Sequence, residues 1–106
     1  MAKYLWQVSY TSEGIKGILK EGGSSRAKYI GKLVESHGGK VEAFYFAFGD
    51  DDCYIIAELP GNLEASAMSL AVSASGAARV KTAVLLSPKE IDAASKVKVA
   101  YRAPGA

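Results

Sequence analysis

The sequence predicts an α+β domain built on one four-stranded antiparallel sheet. Three observations carry that expectation. Four runs of aromatic and β-branched residues read as strands, and two stretches with helical spacing separate the first from the second and the third from the fourth. A short polar segment joins the middle pair as a hairpin. With 106 residues there is material for one core, and a hydrophobic content of 49% against 23% charged residues excludes a disordered chain.

Tyr4 to Tyr10 is the first strand, bounded by Thr11-Ser12-Glu13-Gly14. Thr11 or Ser12 caps a helix whose apolar positions are Ile15, Ile18 and Leu19. Glu21-Gly22-Gly23-Ser24-Ser25 interrupts it, because paired glycines are poor helix interior. Helix resumes with Ala27, Ile30, Leu33, Val34 and His37 on one side and ends at Gly38-Gly39, which supplies a left-handed residue. Val41–Phe48 and Cys53–Leu59 are strands joined at Gly49-Asp50-Asp51-Asp52. Pro60-Gly61-Asn62 is a turn, with Asn62 as the cap of a helix through Leu63, Ala67, Leu70, Ala71 and Ala74 that stops at Gly76. Val80–Leu86 is the fourth strand. Ser87-Pro88-Lys89-Glu90 is a capping box with proline at its first helical position, so a short helix runs from Pro88 to about Lys96. The order β-α-β-β-α-β plus a terminal helix is that of the ferredoxin-like fold, with both long helices on one face of the sheet. Residues 1–96 form this domain and 97–106 a C-terminal arm.

A sheet covered on one face and wet on the other alternates polar and apolar residues. These strands do not. Val41, Ala43, Tyr45 and Ala47 oppose Phe44, Phe46 and Phe48; Cys53, Ile55, Ala57 and Leu59 oppose Tyr54 and Ile56; Val80, Val84 and Leu86 oppose Ala83 and Leu85. Apolar character on both faces predicts cover on both, and the available cover is a second copy, giving two sheets face to face in a homodimer or a higher homo-oligomer. The alternative, the terminal helix or the tail folding back, meets the difficulty that a helix of about ten residues cannot shield four strands. Lys96-Val97-Lys98-Val99 alternates as an edge strand does, which assigns the arm to association.

Several segments resemble the GYD domain family. They are Tyr4-Leu5-Trp6-Gln7-Val8-Ser9-Tyr10-Thr11, Gly17-Ile18-Leu19-Lys20-Glu21-Gly22-Gly23-Ser24, Gly38-Gly39-Lys40 with Phe44-Tyr45-Phe46-Ala47-Phe48-Gly49-Asp50, Ser75-Gly76, and Thr82-Ala83-Val84-Leu85-Leu86-Ser87-Pro88. The resemblance implies a dimeric α/β barrel of ferredoxin-like subunits in a family of undefined biochemical role, and it transfers no catalytic residue. The chain departs from the family pattern at Asp51, where an aromatic is usual in the turn, and at Trp6 and His37, where aliphatic residues are usual.

Composition narrows the partners. A net charge of +2 is only mildly basic, and the third strand follows three aspartates, so the basic, glycine-led aromatic strand of an RNA-binding module is missing and no nucleic-acid partner is expected. No apolar run reaches 18 residues, so no membrane partner is expected either. The N-terminus enters a strand without a signal-like apolar segment, and the lone Cys53 has no partner for an internal disulfide. The expected setting is the cytoplasm. No cofactor and no metal is expected, since Asp50-Asp51-Asp52 lacks the spacing of a calcium loop and reads as a solvated turn.

Candidate chemistry is sparse. Ser24, Ser25 and Arg26 open a helix where backbone N–H groups can hold an anion, or they form a capped kink. Trp6, Tyr45 and Tyr54 offer aromatic walls for an apolar or aromatic small molecule, or they are core. Cys53, with no helix N-terminus nearby, reads as an inert buried thiol. His37, the single histidine, is the candidate for proton transfer, provided that a cavity lies beside it; otherwise it is a favourable last-turn residue. Two functions remain open on the sequence: a small-molecule binder or enzyme, and an assembly module whose aromatics are all core.

Overall fold

The computed structural model describes residues 1–106. Its elements run β1 (Ala2–Tyr10), α1 (Ser12–Glu21), α2 (Gly23–Ser36), β2 (Lys40–Phe46), β3 (Cys53–Leu59), α3 (Asn62–Ala74), β4 (Ala78–Leu85) and α4 (Pro88–Ser95). The strands form one sheet in the order β2-β3-β1-β4, every neighbouring pair antiparallel. This is the ferredoxin-like arrangement.

One face of the sheet is covered by α2 and α3. Tyr4, Trp6 and Val8 from β1 and Cys53, Ile55, Ala57 and Leu59 from β3 alternate onto it. They pack against Ile30 and Val34 of α2 and Ala65 and Met68 of α3. Fully burying side chains of this size stabilises by roughly 1.5–3 kcal/mol each, so this layer is the main source of fold energy.

Local signals place the ends of the helices. The Thr11 hydroxyl accepts from the Gly14 N–H at 3.2 Å and donates to the Gly76 carbonyl at 2.8 Å, so one side chain caps α1 and ties it to the β4 approach. Gly22, with φ +86°, ends α1 and starts α2, turning the expected kink into two helices. Ser87 and Glu90 form the reciprocal capping box. At α3 the cap is Gly61, not Asn62. Asn62 Oδ1 accepts instead from the Tyr4 hydroxyl at 2.7 Å, because a core tyrosine needs an acceptor more than the helix end needs a side-chain cap.

Two expectations about the strands are corrected. A β-bulge between Val41 and Ala43 puts Val41 on the same face as Phe44 and Phe46, opposite Ala57, Ile55 and Cys53, while Ala43 and Tyr45 face the other way, opposite Ile56 and Tyr54. One extra residue reverses the alternation beyond it. The second concerns the turn. β2 ends at Phe46, and the Ala47 N–H donates to the Asp52 carbonyl at 2.8 Å, leaving Phe48 fully exposed.

The second face of the sheet has no cover in this chain. It presents Leu5, Ala43, Ile56, Ala83 and Leu85 beside Tyr45 and Tyr54. Polar and charged side chains share it: Lys3 pairs with Glu42 at 3.0 Å, and Lys81 pairs with Asp51 at 3.2 Å. The face is therefore less uniformly apolar than the strand composition suggests. The terminal segment does not fold back over it, since every residue from Leu86 to Ala106 is exposed. Lys96–Val99 forms no strand within this chain. No helix is long and apolar enough to cross a membrane.

Candidate functional site

The sheet and its helices do not close fully on each other. A cavity of about 50 Å³ lies between them, with eleven hydrophobic residues among the thirteen that line it. Trp6 and Val8 of β1, Ile55 of β3 and Val80 of β4 come from the sheet; Ile30 of α2 and Met68 of α3 come from above. Beside it, bounded by α1, α2 and α3, lies a wider groove of about 330 Å³. Tyr10, Arg26, Ile30, Leu33, Val72 and Ala78 line both, so cavity and groove are continuous.

Trp6 and Arg26 are two of the lining residues that carry polar groups. Trp6 is only 5% exposed, and its indole Nε1–H is buried without an acceptor. Buried donors are almost always paired, and an orphan costs about 1–3 kcal/mol. Arg26 is the one charged residue in the lining; it forms no salt bridge and lies over the Tyr29 ring at 5.2 Å. The outer groove also holds Glu13 and Glu21.

Tyr10 and Cys53 sit at the same end of the sheet. Burial, reinforced by the negative charge that Cys53 would carry, pushes the Tyr10 phenol up to about 12. Burial likewise pushes the Cys53 thiol up to about 11, with the Tyr10 hydroxyl opposing part of the rise. Both groups therefore stay protonated and neutral near pH 7, and Cys53 is no nucleophile. The shifts also set an alkaline limit on stability. Each group binds its proton more tightly when folded, so the stabilisation is full below the unfolded values, 9.0 for Cys53 and 10.0 for Tyr10, and is lost as pH rises through about 11 and about 12. Thermal unfolding followed from pH 8 to pH 12 should show a flat Tm to about pH 9 and then a fall, shallower in Cys53→Ala. An unchanged slope in that variant would remove Cys53 from the account.

The structure unites two of the sequence candidates and scatters the rest. Trp6 and Arg26 line one cavity. Tyr45 and Tyr54 are cross-strand neighbours on the uncovered face, with Tyr45 72% exposed. Ser24 and Ser25 are exposed on the first turn of α2, where Ser25 donates to Glu21 at 3.4 Å. His37 caps α2, exposed, with Nδ1 3.0 Å from the Leu33 carbonyl and 3.1 Å from the Ser36 hydroxyl. It lines neither cavity nor groove, so the condition set for its catalytic role is not met there.

The aspartate turn is corrected outright for two of its three residues. Asp51 is only 4% exposed; it accepts from the Ser9 hydroxyl at 3.0 Å and pairs with Lys81. Asp52 Oδ2 accepts from the Tyr10 N–H at 2.8 Å, and the Asp52 N–H donates to the Val8 carbonyl at 2.8 Å. These carboxylates fasten the turn to the end of β1, Asp52 through the Tyr10 backbone N–H and Asp51 through the Ser9 hydroxyl. Only Asp50 is a solvated turn residue. No group of three His, Cys, Asp or Glu stands close enough together to hold a metal ion.

Tyr10, Met68 and Val72 are cavity residues that the sequence reading left unassigned. Their only sequence signal is apolar spacing, which core residues share.

Fold and site together define a small ferredoxin-like domain with an apolar cavity between sheet and helices and one sheet face uncovered. The GYD domain family model matches residues 4–95, and the chain belongs to that family. The match ends at the last residue of α4, so the exposed arm lies outside it. No curated protein and no solved structure matches the chain.

Proposed function

We propose that the protein is a homodimer that binds a small apolar or aromatic molecule beside the sheet, in the cavity and the wider groove that continues it. The observation that carries the binding reading is an apolar cavity between sheet and helices that continues into a wider groove of about 330 Å³.

Surface area supports association. The chain exposes 7498 Å², whereas a folded monomer of its mass exposes about 5,700 Å². Its radius of gyration is 16.8 Å against about 13 Å for a compact domain of this length. The surplus of about 1,800 Å² per subunit includes the terminal segment from Leu86, which is exposed throughout. The uncovered sheet face and the arm, with Val97, Val99 and Tyr101 exposed, are the surfaces available for it.

Trp6 is the single tryptophan, so its fluorescence reports the cavity directly. Titration with toluene, methyl benzoate and benzoate is expected to change its emission and raise the Tm for at least one of them. Val72→Phe, at the junction of cavity and groove, should abolish the response without lowering the Tm. If no compound shifts emission or Tm, the cavity is structural and the protein is an assembly module.

A further inference from the structure

We propose that α3 is a second interface between copies of this chain. Two α3 helices pack antiparallel about a two-fold axis through Leu63, Ala67, Leu70 and Ala74, and two such contacts join a pair of dimers into a tetramer; the tetramer rests on the homodimer reading above. The helix is apolar on two opposite sides. Ala65 and Met68 are buried against the sheet, with Val72 packed beside them. Leu63, Ala67, Leu70 and Ala74 recur at alternating spacings of four and three, which puts them in one stripe on the side away from the sheet. All four are exposed, the two leucines to 79% and 70%. The outer side of α2 shows what a solvated helix face carries in this domain: Lys28, Lys32 and Glu35, all exposed. The only charged residue of α3 is Glu64, which lies off the stripe. Helices apolar all round are buried ones, so the stripe calls for cover.

The stripe is complementary to itself. With two copies antiparallel about an axis level with the Met68–Ser69 bond, Leu63 of one meets Ala74 of the other and Ala67 meets Leu70, so every leucine lies opposite an alanine. Large against small lets the helix axes approach to the near end of the usual range of about 8–10 Å. The antiparallel sense also sets the positive end of each helix dipole against the negative end of the other. A parallel pair would set leucine against leucine, alanine against alanine, and like dipole ends together. None of the four residues lines the cavity or the groove, and the stripe points away from the sheet, so the contact leaves the proposed ligand site and the open sheet face free.

Area sets the assembly. The thirteen residues of α3 run about 20 Å. A helix pair of that length buries on the order of 350 Å² per copy, less than half of the roughly 800 Å² that a standard interface takes from each partner. One contact alone is too small to hold two subunits together. A dimer carries two stripes, and two dimers joined through both bury about 700 Å² each, close to the standard size. The tetramer therefore forms only at concentrations where the dimer is already complete.

Sedimentation velocity on the intact chain, from about 1 µM to about 500 µM protomer, tests this. A species of two 11.1 kDa chains should give way to one of four as concentration rises. Leu70→Asp should stay at two chains throughout, and Ile56→Asp, stripped of the sheet-face contact, at one. The register has its own readout. Ala67→Cys mixed with Leu70→Cys should form a disulfide-linked pair at least about ten-fold faster than either variant alone, because only the mixture places thiols directly opposite each other. The native thiol does not compete, since Cys53 is buried and protonated. A wild type that never exceeds two chains, or a tetramer that survives Leu70→Asp, would overturn the α3 contact and leave the dimer standing. Equal cross-linking rates would overturn the antiparallel register. A wild type of one chain throughout would instead remove the dimer reading and the tetramer with it.

Discussion

Ile56→Asp is expected to leave a stable monomer of 11.1 kDa where the wild type forms the proposed dimer, with secondary structure retained. Ile56 lies on the uncovered sheet face, opposite Leu5 and Ala43, in the apolar part of that surface. A carboxylate there costs little in the free subunit, where water reaches it. In a face-to-face dimer it would be buried beside its own two-fold mate or against apolar neighbours, a penalty of several kcal/mol, enough to weaken association more than about 100-fold. Sedimentation velocity at micromolar concentration reads the outcome. Leu63→Asp, on the exposed surface of α3, is the control and should leave the dimer intact. Truncation after Lys96 should weaken assembly to a lesser degree and leave the subunit folded, because the removed arm is exposed throughout. A wild-type monomer, or a dimer unaffected by Ile56→Asp, would exclude this face as the interface.

Gly39→Ala is expected to lower stability by about 3–5 kcal/mol, which for a domain of this size is a Tm fall on the order of 15 °C. A methyl group at this position would collide with the Glu58 carbonyl oxygen and would meet Leu59 Cδ2 at 2.7 Å and Val34 Cγ1 at 3.0 Å. The backbone oxygen and two buried core side chains cannot withdraw without opening the start of β2 from β3. Gly38 next to it poses a different problem. Its φ of +81° favours glycine, but the nearest neighbour is Pro60 Cγ at an ordinary 3.4 Å, so Gly38→Ala should cost only about 1–2 kcal/mol. Gly31→Ala, inside α2 with open space around it, should stabilise by roughly 0.5–1 kcal/mol. Thermal unfolding of the three variants gives the order; a Gly39→Ala protein as stable as wild type would show that β2 can shift.

How much of this was legible in the sequence depends on the range of the interaction. Ser87-Pro88-Lys89-Glu90 announces its helix because the capping box is closed within four residues. Gly38 and Gly76 announce helix ends because a left-handed residue is a property of one position. The apolar periods of β1, β3, α2 and α3 fix which residues face the core, and the order of those elements leaves few ways to build the sheet. The sequence by itself therefore determined the elements, their order, the fold and the family. It was silent where a residue's role is set by something distant along the chain. The bulge at Glu42 is visible only in the register of β2 against β3, and it decides which aromatics face the helices. Asp51 and Asp52 look like turn residues until Ser9, Tyr10 and Lys81 are brought to them across the sheet. Trp6 and Arg26 are ordinary in their own segments; only the closing of α2 over β1 brings them into the lining of one cavity, while the same closing leaves His37 at an exposed helix end. Backbone hydrogen bonding and helix caps act over a few residues and are written locally, whereas burial and charge pairing depend on which surfaces meet, and that is decided only when the layers pack.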